Sequence, residues 1–496
     1  MQPKESLSSA ASNGIHFMIT RIFSRYRPRY IRSLIYMLQA CEYNVRDYLA
    51  WYGRTKDFSR VERRKTLVKT PKVYALYFSA YAILIALAGL VYYAAAFAED
   101  LPRFVILACT MFLALYILPY AILIPLVSLK ALQIPLENML MARARKILAR
   151  HKGLKIAIAG SFGKTSMREI LKTVLSEGKR VASPPFSYNT PLGICRFVNQ
   201  LKGTEDVLIF ELGEYYPGDV KKLCELIDPH VGIVTGVNEA HLDRFGTLEK
   251  TAKTIFELAD YLKNKPVYIN GENAITRRQA NHNLKSHILY SREGAGDCRV
   301  RSAESGLSGT SFVLEVGGEK FWAESKLLGL HTIGPLAVSA HVAHRLGFDN
   351  KQIEKGIRKT SAFTHRLLPH EDKNGVITLD DSYNGNPDGV HAIIDFLSLL
   401  RGHRRWYVTP GLVEMGARTK EVHKAIGRQV AWADIEKVVL IRNSVTPFIA
   451  QGLEEAGFRG EIIWYENALT AYAALPHLTV KGDIVLLQND WPDQYA

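Results

Sequence analysis

The sequence predicts an α/β protein with an added helical hairpin ahead of its folded domains. From Leu154 onward, short apolar runs alternate with segments of helical periodicity. The same alternation restarts near residue 376, and two long uncharged runs precede both regions. Strands that alternate with helices are typical of a mostly parallel sheet covered on both faces. We therefore expect two α/β domains behind a two-helix hairpin.

The candidate strands are short and strongly apolar. In the first region they are Lys155–Ala159, Val207–Phe210, Val231–Val234 and Val267–Ile269. In the second they are Val376–Leu379, Trp406–Val408, Val438–Ile441 and Ile484–Leu487. Runs of this length bounded by polar residues predict buried strands.

The two uncharged runs, Val73–Ala98 and Phe104–Leu129, each have 26 residues. A helix needs about 20 apolar residues to span a bilayer. The short polar segment Glu99–Arg103 joins the runs, so residues 73–129 are predicted to form a transmembrane hairpin. The alternative is a buried hairpin in the core of a soluble protein.

The net charge of +15 is concentrated on either side of this hairpin. Residues 1–72 hold 15 Lys and Arg against 5 Asp and Glu, and residues 130–152 hold 6 against 1. This distribution favours an anionic membrane surface over a nucleic acid as the partner. The positive-inside rule predicts a multi-pass protein of the inner (cytoplasmic) membrane with its catalytic domains in the cytoplasm. The five cysteines form no CxxC pair, which indicates neither a zinc site nor a disulfide framework.

The basic segment 1–72 contains apolar residues at near-helical spacing between Ile31 and Leu49. This pattern predicts an amphipathic cytoplasmic helix, with two possible partners: the membrane surface, or the catalytic domain through ordinary packing. The basic residues 130–153 after the hairpin are predicted to form a linker helix.

A candidate phosphate-binding loop, Gly160–Thr165, lies between the strand Lys155–Ala159 and a helix predicted over Lys164–Leu175. Backbone N–H groups at a helix N-terminus bind anions. The Lys164 amine can reach terminal phosphates, and the Thr165 hydroxyl can ligate Mg²⁺. A standard Walker A motif would need glycine at position 158, where this chain has Ile158. The alternative is an ordinary glycine-rich turn.

Two more residues follow strands of the same predicted sheet. Glu211 comes after Val207–Phe210, and His241 lies shortly after Val231–Val234. The carboxyl ends of parallel strands are where α/β sheets place their sites. Carboxylate and hydroxyl oxygens suit Mg²⁺, although imidazole is a less usual ligand for it.

At this point the sequence resembles the Mur ligases, most closely the MurF branch, over more than two thirds of the chain. The matching segments are Ala159–Ser166, Ser187–Gly193, Glu211–Gly213, Thr235–Leu242, His365–Arg366, Asp380–Pro387, Thr409–Gly411 with Glu414–Gly416, and Asn489–Asp493. Asp380–Pro387 is the most specific, since DDSYNGNP closely follows the family's DDSYNANP. In isolation, Asp380-Asp381 would be interpreted as a solvated turn.

The resemblance implies a central ATP-binding ligase domain over 154–362 and a Rossmann-like C-terminal ligase domain over 363–496. It implies ATP and Mg²⁺ as cofactors. The implied catalytic residues are Lys164, Glu211, His241 and Arg366, and the implied metal ligands are Thr165, Glu211 and His241. The implied cofactor-binding residues are Gly160, Ser161, Gly163, Lys164, Thr165, Ser166, Asn270, His331, Arg366 and Asp381. The implied substrate-binding residues are Ser187, Asn189, Thr190, Asn384 and Asn386.

The family's activity implies that ATP converts a carboxylate into an acyl phosphate, which an amine then attacks to form an amide. The implied partners are a peptidoglycan-precursor carboxylate, soluble or lipid-linked, and an amino acid or dipeptide such as D-Ala-D-Ala. Other ligases of the superfamily, which act in folylpolyglutamate or cyanophycin synthesis, are alternatives that Asp380–Pro387 disfavours. A transport ATPase is disfavoured because the two predicted spans carry no charge.

The chain also departs from the family in three places. Ile255 stands where a carbamylated lysine is usual, and Lys253 is about 200° away around a helix. Thr332 and Pro335 replace two asparagines usual near the nucleotide. The membrane hairpin stands where the family has a UDP-binding domain. These departures support a second hypothesis, a non-catalytic nucleotide-binding scaffold at the membrane.

Overall fold

The computed structural model describes residues 20–41, 43–55, 57–58, 61, 66–96, 103–185, 188–240, 242–280, 286–363, 366–382 and 385–489. The chain divides into two compact units, one up to Leu136 and one from Glu137. Among the candidate residues, Ser187, His241 and Asn384 lie outside the described part.

The first unit is helical. After a 3₁₀ turn at Ser24–Tyr26, its helices are α1 (Tyr30–Ala40), α2 (Val45–Arg54), α3 (Pro71–Ala96), α4 (Arg103–Ala121) and the first half of α5 (Leu123–Arg150). The second predicted apolar run is therefore divided near Ile122, and its helix α5 continues without a break through the basic segment. Two stretches, Pro71–Tyr93 and Phe112–Arg150, are long and apolar enough to cross a membrane, judged by length and composition.

The apolar face of α1 packs inside this first unit. Leu34 and Leu38 are fully buried in one cluster with Val73 and Leu76 of α3 and Leu118 of α4. The predicted hairpin therefore covers this face of α1. The two partners considered from the sequence were the membrane surface and the catalytic domain, and the observed partner is neither of them. Burial of several such aliphatic side chains contributes about 1.5–3 kcal/mol each.

A proline inside α4 explains one long-range contact of the first unit. Pro119 has no N–H, so the carbonyl of Leu115 lacks its helical donor. The hydroxyl of Tyr30 donates to that carbonyl over 3.2 Å. The hydrogen bond satisfies a backbone group that an apolar environment would leave unpaired.

The second unit contains two α/β domains, and the first of them, the middle domain, is built on one large sheet. Its strands are β1 (Leu154–Ala159), β2 (Val181–Ala182), β3 (Val207–Glu211), β4 (Val231–Val234), β5 (Val267–Asn270), β6 (His287–Ser291), β7 (Gly294–Ala295), β8 (Cys298–Gly306), β9 (Gly309–Val316) and β10 (Glu319–Ser325). The order across the sheet is β10-β9-β8-β7-β6-β5-β4-β1-β3-β2. Strands β2 to β6 with β1 are parallel, which confirms the predicted parallel sheet, and β7 to β10 extend it as antiparallel hairpins.

The helices of this domain cover both faces of the sheet, which gives two separate apolar cores. They are α6 (Lys164–Leu175), α7 (Pro191–Val198), α8 (Asp219–Ile227), α9 (Leu242–Phe245), α10 (Leu248–Leu262), α11 (Ala274–Ala280), α12 (Ile333–Arg345) and α13 (Asn350–Arg358). A 3₁₀ turn at Leu330–Thr332 precedes α12. The end of α5 belongs to one core through Ala144 and Leu148.

The C-terminal domain has a smaller sheet of the order β11-β12-β16-β13-β14-β15. The strands are β11 (Leu368–Glu371), β12 (Ile377–Asp381), β13 (Arg405–Thr409), β14 (Lys437–Ile441), β15 (Glu461–Tyr465) and β16 (Ile484–Gln488). The helices are α14 (Pro387–Leu399), α15 (Thr419–Trp432), α16 (Thr446–Glu455) and α17 (Ala468–Leu478), with a 3₁₀ turn at Gly416–Arg418. The edge strand β11 is antiparallel and the other pairs are parallel, so the predicted second α/β domain is confirmed.

Candidate functional site

Neighbouring strand ends bring the candidate residues of the middle domain together. Strand β1 lies between β3 and β4, with Ile158 opposite Glu211 and Ala159 opposite Val234. The loop that follows β1, the loop that follows β3 and the loop that follows β4 therefore meet at one edge. Sheets of this kind bind ligands at such an edge, where the connections diverge to either side.

The loop after β1 is fixed by the loop after β4. The amide of Ser161 donates to the carbonyl of Gly236 over 2.9 Å, and the Thr235 hydroxyl donates to the carbonyl of Phe162. Gly160 has a φ of +149°, and a Cβ there would lie 2.2 Å from the Thr235 hydroxyl oxygen. Glycine is therefore required at 160 for both its conformation and its size.

The N-terminus of α6 faces this loop with open donors. Gly163 occupies the N-cap position in a left-handed conformation and offers no side chain to cap the helix. The amides of Lys164, Thr165 and Ser166 precede the first amide that donates within the helix, that of Met167, which donates to the carbonyl of Gly163. The hydroxyl of Ser161 is also buried without a hydrogen-bond partner among the described residues. These donors fit a bound phosphate group.

Two ion pairs link α6 to the loop after β3. The Lys164 amine lies 2.7 Å from a carboxylate oxygen of Glu214, and their side chains are 14% and 3% exposed. The Arg168 guanidinium lies 3.4 Å from the Glu211 carboxylate, and it also pairs with Glu169 at 2.7 Å. Both pairs are nearly excluded from water, so their charges are weakly screened.

The expected metal ligands fit Mg²⁺ in kind. Thr165 lies in the first turn of α6, and Glu211 is the last residue of β3. The buried Glu211 oxygen that lies 3.4 Å from Arg168 accepts no hydrogen bond from the described residues. Hydroxyl and carboxylate oxygens are the donors that Mg²⁺ prefers. In the described part of the chain, no group of three His, Cys, Asp or Glu side chains forms a metal cluster.

A cavity of about 350 Å³ lies between the middle domain and the C-terminal domain, inside the second unit. Of the expected residues, Gly163, Ser166, Asn270, His331, Arg366, Asp381 and Asn386 line it. The cavity lining does not include Gly160, Ser161, Lys164, Thr165, Glu211, Asn189 or Thr190. The cavity therefore joins the open end of the phosphate-binding loop to the loop that carries the DDSYNGNP segment.

Burial shifts the pKa of two residues that line the cavity. It lowers the pKa of His331 to about 4, and the positive charge of Arg292 acts in the same direction. His331 is therefore neutral at pH 7. Burial raises the pKa of Asp381 to about 6, although the nearby Arg366 guanidinium lowers it. Asp381 ends β12 and is buried, so the interpretation of a solvated turn is wrong for this residue.

Side chains of the two domains meet beside the cavity. The Asn238 amide donates to Asn386 over 2.9 Å and to Asp388 over 2.8 Å, and Asn273 donates to Asp388 over 3.4 Å. Burial raises the pKa of Asp388, against the hydrogen bond from Asn238. A further ion pair joins Arg418 to Glu239, so the contact is polar and continuous along the loop after β4.

The expected substrate residues also have local structural contacts. Thr190 caps α7 by accepting from the Gly193 amide over 3.3 Å. The carbonyl of Asn189 accepts from the Gly213 amide over 2.9 Å, which places Asn189 beside the loop after β3. The Asn386 side chain caps α14 through Gly389 over 3.0 Å.

One departure noted in the sequence has a clear structural counterpart. Ile255 is fully buried in the core beneath α10, whereas Lys253 is exposed on another face of that helix. Glu257, on the same helix, accepts from the amides of Gly218 and Lys221. No lysine side chain of α10 thus stands at the position that aligns with the family's lysine.

Sequence reasoning missed four residues that shape this region: Thr235, Asn238, Glu214 and Asp388. Glu214 follows Glu211 by three residues, and that spacing was the available signal. Asn238 and Asp388 are 150 residues apart and have no local pattern that would pair them.

Comparison with known proteins identifies the two domains of the second unit. The family model of the Mur ligase middle domain matches residues 158–343, and that of the Mur ligase glutamate ligase domain matches residues 365–488. The chain belongs to the Mur ligase family. Together the two matches span both α/β domains and the cavity between them.

Among curated relatives of this Mur ligase is the UDP-N-acetylmuramoyl-tripeptide–D-alanyl-D-alanine ligase of Mycobacterium tuberculosis. It is 27% identical over 354 residues, which are 67% of this chain and 69% of the relative. The enzyme of the same name from Escherichia coli is 25% identical over 297 residues, 58% of this chain and 64% of the relative. The match thus leaves about a third of each relative uncovered.

Solved structures show the same fold. MurF from Acinetobacter baumannii has a TM-score of 0.64 at 20% identity, covering 72% of this chain and 78% of the other. MurF from Thermotoga maritima, solved in complex with ADP, has a TM-score of 0.62 at 23% identity, covering 71% and 80%.

Proposed function

We propose that this Mur ligase is a membrane-anchored, ATP-dependent amide ligase of MurF type that acts on a peptidoglycan precursor. The observation that carries the proposal is the cavity that joins Gly163 and Ser166 to Arg366 and Asp381. Activation of a carboxylate requires a phosphate site, and transfer of the resulting acyl group to an amine requires a second domain that faces this site.

In this proposal ATP supplies the phosphoryl group that turns a carboxylate into an acyl phosphate, and Mg²⁺ supplies positive charge beside it. The amides of the α6 N-terminus and the Lys164 amine hold the phosphates. Thr165 and Glu211 hold the metal, together with His241. Arg366, which lines the cavity from the C-terminal side, stabilises negative charge on the transferred group.

The contact between the domains has its own role in the proposal. Asn238, Asn386 and Asp388 form hydrogen bonds beside the cavity. Exclusion of water protects an acyl phosphate from hydrolysis until the amine attacks. We therefore assign these side chains to holding the domains together around the reacting groups.

The proposed substrates follow from the named relatives, which join D-alanyl-D-alanine to a UDP-N-acetylmuramoyl-tripeptide. For this chain we propose a precursor carboxylate and an amino acid or dipeptide amine. The loop with Ser187, Asn189 and Thr190 would contact the carboxylate substrate. Asn384 and Asn386 would contact the incoming amine.

The test is a panel of acceptors and amines with ATP and Mg²⁺, with ligated product detected by mass. Product is expected with a peptide carboxylate and D-Ala-D-Ala, with one ADP released per amide formed. Lys164→Ala should abolish product, whereas Lys172→Ala, two turns further along α6, should retain it. If no pair in the panel yields a product above the Lys164→Ala level, the ligase proposal is wrong.

A second candidate function, a nucleotide-binding scaffold without turnover, is favoured by one observation. Ile255 is buried where the family's lysine would stand. A scaffold would bind ADP with Mg²⁺, yet release no ADP from ATP under any substrate pair. ADP binding measured beside the same panel therefore separates the two candidates, because a scaffold binds ADP but gives no turnover.

Membrane anchoring is supported by apolar side chains that remain exposed along the hairpin. Phe78, Ile85 and Tyr92 of α3 and Ile124 and Val127 of α5 are all more than half exposed. In a soluble core hairpin such side chains would be buried. Basic residues on both sides of the hairpin fit a cytoplasmic location of both flanks.

Cys109 allows a direct test of the anchor, because it is the exposed cysteine and the other four are buried. In membrane vesicles a water-soluble maleimide should leave Cys109 unlabelled and should label it after detergent extraction under mild denaturation. Ser176→Cys, on the exposed surface after α6, should be labelled in inside-out vesicles. Rapid labelling of Cys109 in intact vesicles would contradict the anchor.

The anchor motivates a narrower proposal, that the acceptor is linked to a lipid. Full-length protein in liposomes should then use a lipid-linked acceptor at least about ten-fold more efficiently than its soluble UDP-linked counterpart, because both reactants share one surface. Equal use of the two acceptors would argue against this proposal.

A further inference from the structure

The Lys164 amine already has a counter-ion inside the protein. It donates to Glu214 over 2.7 Å and also to the carbonyl of Gly160 at the start of the loop. Glu214 is 3% exposed and lies three residues after Glu211, in the loop after β3. The side chain that should meet phosphate is therefore held by a buried carboxylate.

Phosphate binding must break or weaken this ion pair. An amine that turns toward phosphate oxygens leaves Glu214 without its charge at 2.7 Å, and burial makes that loss large. The nearest other cation on α6, Arg168, is already engaged by Glu211 and Glu169. A nucleotide that arrives without a cation thus adds negative charge close to Glu214 while the ion pair of Glu214 with Lys164 is being broken.

A divalent cation that arrives with the nucleotide reverses this balance. It brings two positive charges to the side of the loop where Glu211 and Glu214 lie. The Glu214 carboxylate then attracts the cation, whether or not it ligates it directly, because Coulomb attraction extends beyond contact distance in a weakly screened site. The charge of the metal therefore offsets the cost of releasing Lys164.

We infer that Glu214 is a positioning residue that couples nucleotide binding to the divalent cation. Before nucleotide binds, Glu214 holds Lys164; when nucleotide binds, its charge favours the metal-bound over the metal-free form. The inference rests on the proposed function only in that nucleotide binds at Gly160–Thr165. It assigns a role to a residue that is neither an expected metal ligand nor part of the cavity lining.

The test measures the Kd of ADP for the full-length protein in detergent, once with EDTA and once with Mg²⁺. The ratio of the two Kd values reports the coupling. Glu214→Gln keeps the size and a hydrogen-bond acceptor but removes the charge. It should bind ADP in EDTA at least about ten-fold more tightly than wild type, and the ratio should fall at least about ten-fold, as expected for one charge removed near phosphate.

Glu169→Gln is the matched control. It removes one carboxylate charge from α6, the helix that carries Lys164, but Glu169 pairs with Arg168 rather than Lys164. Its ratio should stay within about two-fold of wild type because that carboxylate is about a third exposed and better screened. A purely structural role for Glu214 would lower the melting temperature of Glu214→Gln and leave the ratio unchanged, and that result would overturn the inference.

Lys164→Gln keeps the inference testable if Glu214→Gln does not fold. Without Lys164, the Glu214 charge attracts a cation even in the empty site. Titration with Mn²⁺ in the absence of nucleotide should then give at least about ten-fold tighter binding than wild type. Equal Mn²⁺ affinity would overturn the inference. These binding results are independent of the ligation panel. If no substrate pair yields product but the ratio of Kd values changes in Glu214→Gln as expected, the ligase proposal is rejected and the role of Glu214 is kept.

Discussion

Substitution of Gly160 by alanine is the sharpest perturbation of the phosphate-binding loop. The residue has a φ of +149°, and the added Cβ would lie 2.2 Å from the Thr235 hydroxyl oxygen and 3.1 Å from the backbone of Gly236. Thr235 cannot retreat easily, since its amide donates to Ala159 over 2.9 Å and its hydroxyl to Phe162. The loop itself must therefore move.

The expected magnitude has two parts. A residue with a side chain in this conformation costs about 1–3 kcal/mol. Overpacking against fixed neighbours costs about another 1–3 kcal/mol. If the loop moves to relieve about 2 kcal/mol or more, the amides of Ser161 and Lys164 leave their positions, and ADP affinity should fall at least about 30-fold.

Two other glycines separate the effect of backbone strain from the effect of a steric clash with an added Cβ. Gly163 has a φ of +73° in the same loop, but its nearest neighbour, the Thr235 Cβ, would lie 3.6 Å from an added Cβ. Gly457, in the C-terminal domain, has a φ of +69° and open space around it. We expect ADP affinity to be unchanged in Gly457→Ala, reduced about three- to ten-fold in Gly163→Ala, and lost in Gly160→Ala.

The assay is ADP binding with Mg²⁺ by calorimetry, with thermal unfolding of each variant to confirm that it folds. All three substitutions add one methyl group, so differences among them reflect position alone. If folded Gly160→Ala binds ADP within two-fold of Gly457→Ala, the loop does not need the observed conformation and our account of the site is wrong.

Three further predictions concern charge and domain contact. Because burial raises the pKa of Asp381 to about 6, the folded state holds its proton more tightly than the unfolded state. Wild type should therefore lose about 2 kcal/mol of stability relative to Asp381→Asn as pH rises from about 4 to 7, measured by chemical unfolding. Burial alone would raise the pKa of Asp483, but hydrogen bonds from Arg404 outweigh it and lower that pKa; Asp483→Asn should cost about 2–3 kcal/mol at pH 7, and this difference should shrink as pH falls below about 4. Asn238→Ala removes two hydrogen bonds to the C-terminal domain, so hydrogen exchange over residues 235–240 should rise about ten-fold.

The strands that carry the site were predictable because they are buried on both faces. Val207–Phe210 and Val231–Val234 are continuous apolar runs, and β3 and β4 begin at the same residues. Strand β9 escaped prediction because its residues alternate between buried and partly exposed positions. The signal for that strand was alternation of buried and partly exposed residues, whereas the strands that were predicted are continuous apolar runs.

The candidate site was predictable where its residues are local in sequence. Gly160–Thr165 and Glu211 follow strands directly, so an apolar run identifies them. The contacts of Asn238 with Asn386 and Asp388 join segments about 150 residues apart. A single sequence has no local pattern that relates such distant segments. Only the packing of the two domains brings them together.

The ion pairs of the site show why the sequence indicated which residues are charged but not which of them pair with each other. A buried amine and a buried carboxylate are each unfavourable alone, and each is stabilised by a partner across a loop. Lys164 pairs with Glu214, and Arg168 pairs with Glu211 and Glu169, so the charges of these side chains compensate one another before any ligand binds. A ligand that enters must keep that balance. A nucleotide together with a divalent cation would do so, because the phosphates would attract Lys164 while the charge of the cation would compensate Glu214. The same argument disfavours a bare anion of equal charge, which would draw Lys164 away from Glu214 and bring no positive charge in its place.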